Sequence, residues 1–173
     1  MKAKLLLFVM LVALTFSVKA QTNDDTPFKI GVGAMIGLPV GDFGDMASLA
    51  YGFDLMGEYA VAPSVALTLS IGYVDFSKKS EWKDLEDELN TKLKLGMIPV
   101  LAGAKFYFSD QIYGSAQIGL SFGTESGSGS TFTFAPGVGY KISENLDLLL
   151  KYQSATKNDA DKSFLGLRLG YTF

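Results

Sequence analysis

The sequence predicts an all-β fold, an eight-stranded antiparallel up-and-down transmembrane β-barrel, and three observations predict it. Apolar residues recur at every second position through eight segments between residues 28 and 173. That period sorts side chains onto the two faces of a sheet. The segments run to roughly 9–16 residues, enough for the about 9–11 of a tilted membrane-crossing strand and beyond the about 5–6 of a globular one. Aromatic residues gather near the segment ends, where two belts would meet the membrane interfaces: Tyr51, Tyr59, Tyr73, Phe106, Phe108, Phe122, Phe132, Tyr140, Tyr152, Tyr171 and Phe173.

Residues 1–20 read as a secretory signal peptide. Lys2 and Lys4 give a positive start, Leu5 to Phe16 is apolar but for Thr15, and Val18 and Ala20 take the −3 and −1 positions before Gln21. The stretch is too short for a comfortable spanning helix. No Cys follows it, so a lipid-modified N-terminus is not expected. Residues 21–27, QTNDDTP, form a polar lead-in. The barrel is expected over 28–173.

The eight segments follow in order. Segment 28–38 sets Ile30, Val32, Ala34 and Ile36 against Lys29, Gly31, Gly33, Met35 and Gly37. Segment 50–60 sets Tyr51, Phe53, Leu55 and Tyr59 against Asp54, Met56 and Glu58, and segment 65–76 sets Leu67, Leu69, Ile71 and Tyr73 against Thr68, Ser70 and Gly72. Segment 93–108 carries Ile98, Val100, Ala102, Ala104, Phe106 and Phe108 on one side; its other side, Met97, Pro99, Leu101, Gly103, Lys105 and Tyr107, is less polar than in the rest. Segments 111–123, 131–141, 146–154 and 163–173 repeat the pattern, with Gln117, Ser121, Thr133, Lys141, Asp147, Lys151 and Arg168 on the polar side. A soluble ligand-carrying barrel would turn its apolar face inward. Here the Gly, Ser, Thr, Gln and isolated charges suit a narrow interior, and the apolar face suits lipid.

The connections alternate in length. Residues 61–64, 109–110 and 142–145 are short turns, while 39–49, 77–92, 124–130 and 155–162 are expected to be longer loops. Short turns at one end and loops at the other put both termini on the short-turn side. Lipid offers no partner to an open sheet edge, so the first and last strands should pair.

Composition removes several kinds of function. The chain has 173 residues, no Cys and no His, which excludes disulfides, thiol catalysis, Cys zinc sites and the commonest general base. Residues 1–20 hold three of the 15 basic residues and none of the 18 acidic ones, so the remainder carries a formal net charge of −6. An acidic chain without basic clusters is a poor nucleic-acid binder.

The opening FKIGVGAMIG, the segment IPVLAGAKFYF at 98–108 and the closing GLRLGYTF, together with the signal peptide, resemble the small eight-stranded outer-membrane barrel family of Gram-negative bacteria, the OmpA/OmpX-like or "porin family" barrel domain. The resemblance covers 28–173. It implies an outer-membrane location and contact with membrane lipids and lipopolysaccharide. It also implies that Tyr171 and Phe173 resemble the C-terminal signal read by the barrel-assembly machinery. No peptidoglycan-binding domain follows, so the cell-wall tether of longer relatives is not expected.

Interior-facing Asp54, Glu58, Lys105, Lys141, Asp147, Lys151 and Arg168, with Lys29, are mixed in sign. Eight strands leave an interior just filled by side chains, so these charges should form a paired network. Arg168 is expected to meet Asp54 or Glu58, because the closing strand lies two strands from the second. In the charge-dense loop 77–92, Trp82, Leu85 and Leu89 recur at helical spacing, as a short amphipathic turn on the rim or the membrane surface would require; this is the candidate surface loop. Asp42, Asp45, Asp159 and Asp161 lie in expected loops, without the calcium-loop pattern. Gly31-x-Gly33-x-x-x-Gly37 resembles a dinucleotide loop, but its glycines fall within a strand, and Pro39, Gly41 and Gly44 oppose a following helix. Glycine there is expected to face a crowded interior or to ease strong barrel curvature.

No catalytic residue, cofactor or metal is expected: Gly-x-Ser-x-Gly and His-based triads are both missing from the sequence. The expected function is a non-catalytic structural or surface-interaction role carried by the outer loops, toward a ligand the sequence does not name. The alternative is a small channel for ions or small hydrophobic solutes.

Overall fold

The computed structural model describes residues 27–79, 95–125, 127–157 and 160–173. Eight strands follow the chain: β1 (Phe28–Val40), β2 (Ala47–Ala62), β3 (Val65–Lys78), β4 (Met97–Tyr107), β5 (Ile112–Gly123), β6 (Ser130–Lys141), β7 (Leu146–Lys157) and β8 (Ala160–Thr172). Each pairs antiparallel with its neighbours, and β1 pairs with β8 from Gly31↔Thr172 to Val40↔Ser163, closing the barrel. Closure leaves no sheet edge to be satisfied in hydrocarbon.

The sidedness follows the period of two. Outward apolar side chains stand open to the surroundings: Phe53 is 65%, Leu69 63% and Ile36 60% exposed. Inward neighbours such as Met35, Thr68, Gln117 and Arg168 are buried. The less polar β4 obeys the same phase, with Ile98 and Phe106 exposed and Met97, Leu101 and Lys105 buried. A water-soluble chain rarely carries so continuous an apolar surface; a bilayer removes it from water. The aromatic belts are present, with Tyr51, Tyr59, Phe106, Phe108, Phe122, Phe132, Tyr140, Tyr171 and Phe173 all exposed.

The short connections are where the turn residues put them. β2 and β3 are joined through Pro63 and Ser64, and Ser109 and Ser143 side chains accept from the backbone N–H of Ile112 and Leu146 at the other two turns. β1 starts and β8 ends at this side: Phe173 N donates to Ile30 O at 2.8 Å, and Asn145 Nδ2 donates to Thr172 O at 2.7 Å.

The other end departs from expectation. The segment 155–162 is not a long loop, because β7 and β8 continue as a ladder to Lys157↔Ala160. Segment 39–49 is strand at both ends, and between Val40 and Ala47 lie the turn residues Gly41 and Asp42 and a helical turn, α1 (Phe43–Met46), which contains Gly44 despite the helix-opposing residues around it. Gly41, at φ +64, makes the reversal that a side chain would disfavour. Strand periodicity weakens beyond the lipid band, so sequence patterning ends the strands too early. β4 starts at Met97 rather than at 93, and Leu95 and Gly96 precede it outside the ladder.

Two proline residues interrupt ladders. The β3–β4 pairing skips from Ile71↔Val100 to Val74↔Met97 beside Pro99, and β6–β7 skips from Phe134↔Ser154 to Gly137↔Lys151 beside Pro136. In both cases pairing with β5 continues, through Pro99↔Ser121 and Ala116↔Pro136. Proline has no N–H to give.

Candidate functional site

The interior is layered. In the half nearest the short turns, a chain of alternating charges crosses the barrel. Glu58 on β2 accepts from Lys105 on β4; the Lys105 ammonium lies 3.5 Å from Asp147 on β7; the Asp147 carboxylate lies 3.5 Å from Arg168 on β8. Arg168 then returns to β2, donating from Nε and Nη2 to Asp54 at 2.7–3.0 Å in a bidentate fork. Glu58 and Asp54 stand four residues apart on one strand face, so the chain begins and ends on β2. Of the two carboxylates expected for Arg168, the structure supplies Asp54. Charges of one sign alternate with the other, which offsets the cost of burying them.

Aromatic rings pack beside these charges. Tyr113, fully buried, donates its hydroxyl to Asp147, and Lys105 lies over its ring at 4.7 Å. Tyr107 packs against Tyr113 at 5.6 Å between centroids, and Lys141 sits over Tyr107 at 4.3 Å. Sequence reasoning passed over Tyr113; its phase with Ser115 and Gln117 was the signal that places it inside. Lys29 shares the inward phase but is exposed at the short-turn mouth.

Glycine makes room for the large side chains. A Cβ at Gly33 would strike the Arg168 guanidinium, one at Gly170 would strike Asp147 and Arg168, and one at Gly139 would strike the Tyr113 ring. Gly33 thus occupies a crowded interior, one of the two settings expected for it, and Gly139 and Gly170 lie in the same crowding.

Above the charges lies a layer of neutral hydrogen bonds. Gln117 Nε2 donates to Ser70 Oγ at 3.1 Å and Thr68 Oγ1 at 3.3 Å, and Thr133 donates to Ser121 at 2.7 Å. Lys151 is buried at this level, and no carboxylate of the described residues lies within ion-pair distance of its ammonium. It borders a cavity of about 20 Å³, together with Asp54, Ser70, Gln117 and Arg168. That is room for a single water. The Gln153 side-chain amide, also fully buried, has no hydrogen-bond partner among the described residues.

The outer end is apolar, a layer beyond the paired charge network that the sequence predicts. Met35, Ala47, Ala50, Val74, Phe76, Met97, Ala155 and Phe164 converge there, and Phe43 is lowered among them from α1. Phe43 meets Phe76 edge-on at 4.8 Å, and Phe76 meets Phe164 at 5.7 Å. Val74 and Phe76 share the inward phase of Thr68 and Ser70, so the continued alternation would have revealed them. The rim above is tied across the barrel by Lys162 Nζ donating to Leu95 O at 3.1 Å, and the neighbouring ends of β4 and β5 are joined by Thr124 Oγ1 donating to Gly96 O at 3.0 Å.

Trp82, Leu85 and Leu89 lie outside the described residues. Asp42 and Asp45 flank or occupy α1, Asp161 is an exposed residue of β8, and Asp159 lies outside the described residues. No group of three or more metal-ligating side chains occurs among the described residues. Tyr171 and Phe173 project outward at the short-turn end, with their rings 5.2 Å apart.

A family model for the outer membrane protein β-barrel domain matches residues 8–173. The chain belongs to that family. As an outer-membrane barrel it spans the bilayer with its strands. It is similar in fold to Ail, the attachment invasion locus protein of Yersinia pestis: 15% identity, 84% of this chain and 97% of that one covered, TM-score 0.57. The N-terminal β-barrel domain of Pseudomonas aeruginosa OprF matches at 13% identity over 86% of this chain and 98% of its own, TM-score 0.54. A de novo designed transmembrane β-barrel matches at 15% identity over 88% and 100%, TM-score 0.53. Comparison with curated proteins gives no match.

Proposed function

We propose that this outer-membrane barrel is a non-catalytic surface protein, a rigid membrane anchor whose outward-facing connections meet surface molecules or stabilise the membrane. One observation carries the reading. The interior is filled at successive levels, by the Glu58–Lys105–Asp147–Arg168–Asp54 chain and by the Phe43–Phe76–Phe164 plug. A filled interior leaves the outside as the working surface. The solved structure of Ail in complex with the heparin analogue sucrose octasulfate gives a small barrel of this fold with a ligand, which supports a binding role without naming this chain's ligand.

Biogenesis belongs to the same reading. Residues 1–20 act as a cleaved signal peptide, the barrel-assembly machinery reads the outward Tyr171 and Phe173, and Trp82, Leu85 and Leu89 anchor the largest outer loop on the rim or the lipid surface. Planar-bilayer recording on the refolded chain tests the occlusion. No resolved conductance steps are expected, and steady resolved steps would favour the channel alternative. Replacing residues 80–94 by a Gly/Ser linker tests the loop. The barrel should still migrate as a compact, heat-modifiable band, while adhesion of expressing cells to surfaces and to each other falls. Unchanged adhesion would remove that loop from the function.

A further inference from the structure

The polar layer of the interior holds a charge that the ion chain does not use. Lys151 on β7 is only 8% exposed. Among the described residues the inward carboxylates are engaged elsewhere: Glu58 with Lys105, Asp54 with both arms of the Arg168 fork, and Asp147 with Tyr113, Lys105 and Arg168. Lys141, also outside that chain, is half-buried near the short-turn mouth and lies over the Tyr107 ring. Lys151 has neither an ion pair nor an aromatic ring beneath it among the described residues. An ionised group at membrane depth is costly unless a counter-charge accompanies it.

We propose that Lys151 holds one chloride ion in the cavity of about 20 Å³ that it borders. Three features select that occupant. The first is size: the space takes one water-sized guest, so a single-atom anion enters, and phosphate, sulfate or a carboxylate does not. The second is the supply of donors. Beside the Lys151 ammonium, Ser70 borders the same space, accepts from Gln117 Nε2 and keeps its own hydroxyl hydrogen to give. Asp54 borders it too, but both of its oxygens accept from Arg168, whose guanidinium adds positive charge at the same wall. The third is charge. A water molecule here would give the ammonium an acceptor and leave its charge unbalanced, whereas chloride supplies both. Leu101 and Leu149, almost fully buried, form apolar walls, so the attraction between the ion and Lys151 is little screened. The charge chain fills one side of this level and the aromatic plug the other, so the ion is taken up as the barrel closes.

The test compares the full chain refolded into vesicles in sodium chloride and in sodium gluconate of equal ionic strength, gluconate being too large for the cavity. In urea titrations the unfolding constant should fall about tenfold for each tenfold rise in chloride above the dissociation constant, with no such dependence on gluconate. Lys29→Met, which removes an exposed lysine at the short-turn mouth, should keep the chloride dependence, and Lys151→Met should abolish it. Equal stability in the two salts overturns the proposal, as does a chloride dependence that survives in Lys151→Met. Should Lys151→Met give no heat-modifiable band, crystals of the unaltered chain grown in sodium bromide decide the matter. An anomalous peak beside Lys151 Nζ is expected, and a water alone at that place overturns the proposal.

Discussion

Arg168 and Asp54 show how much a single interior charge depends on its partner. Arg168 is only 3% exposed, so removing Asp54 leaves a buried guanidinium with only the more distant Asp147. Breaking a buried pair from one side costs about 3–5 kcal/mol, whereas replacing both partners by apolar groups can be close to neutral. Asp54→Asn and Arg168→Met should therefore each lower the urea midpoint of the refolded barrel in vesicles, and the double variant should lose much less than the two losses added. Simple additivity would mean that the pair is not coupled. Gly139 makes a second case. Its missing Cβ is the space in which the Tyr113 ring lies. Gly139→Ala should cost about 1–3 kcal/mol by overpacking, and adding Tyr113→Ala should relieve the clash while losing the hydroxyl bond to Asp147. A Gly139→Ala midpoint equal to that of the unaltered chain would show that the ring has somewhere else to go.

Among the elements, the strands were the most legible and the connections the least. Alternation is enforced by two unlike surroundings, hydrocarbon outside and packed side chains inside, so β4 keeps its phase like the others, and β2 slips only near its ends, at Ala47/Leu49 and Ala60/Ala62. Above the lipid band those surroundings disappear, and β7 and β8 run on as a hairpin that the pattern could not announce. The interior charges were legible because a lone ionised group is rare on a face of Gly, Ser and Thr. Tyr113, Phe76 and Phe164 were given no place, because an aromatic residue reads alike whether it faces lipid or fills a lumen. The α1 turn illustrates the same limit: Phe43 acts through its position in space rather than through any motif. Phe43→Ala should cost about 3–5 kcal/mol, the range of large-to-small changes in packed cores, measurable by urea unfolding. Conductance should remain absent, because the charge chain still closes the inner half. Resolved channel steps from that variant would place the only seal at the outer end.

For the molecule as a whole, the layered interior ties distant parts of the chain together. Asp54 and Arg168 are separated by 114 residues, and their pairing needs β1 to lie between β2 and β8, which occurs only once the cylinder is shut. A growing polypeptide that has inserted seven strands still holds Asp54 uncompensated from that side. Arrival of the eighth therefore does more than join two hydrogen-bonding edges: it supplies the missing counter-ion, so a prematurely terminated product is left electrically unfinished.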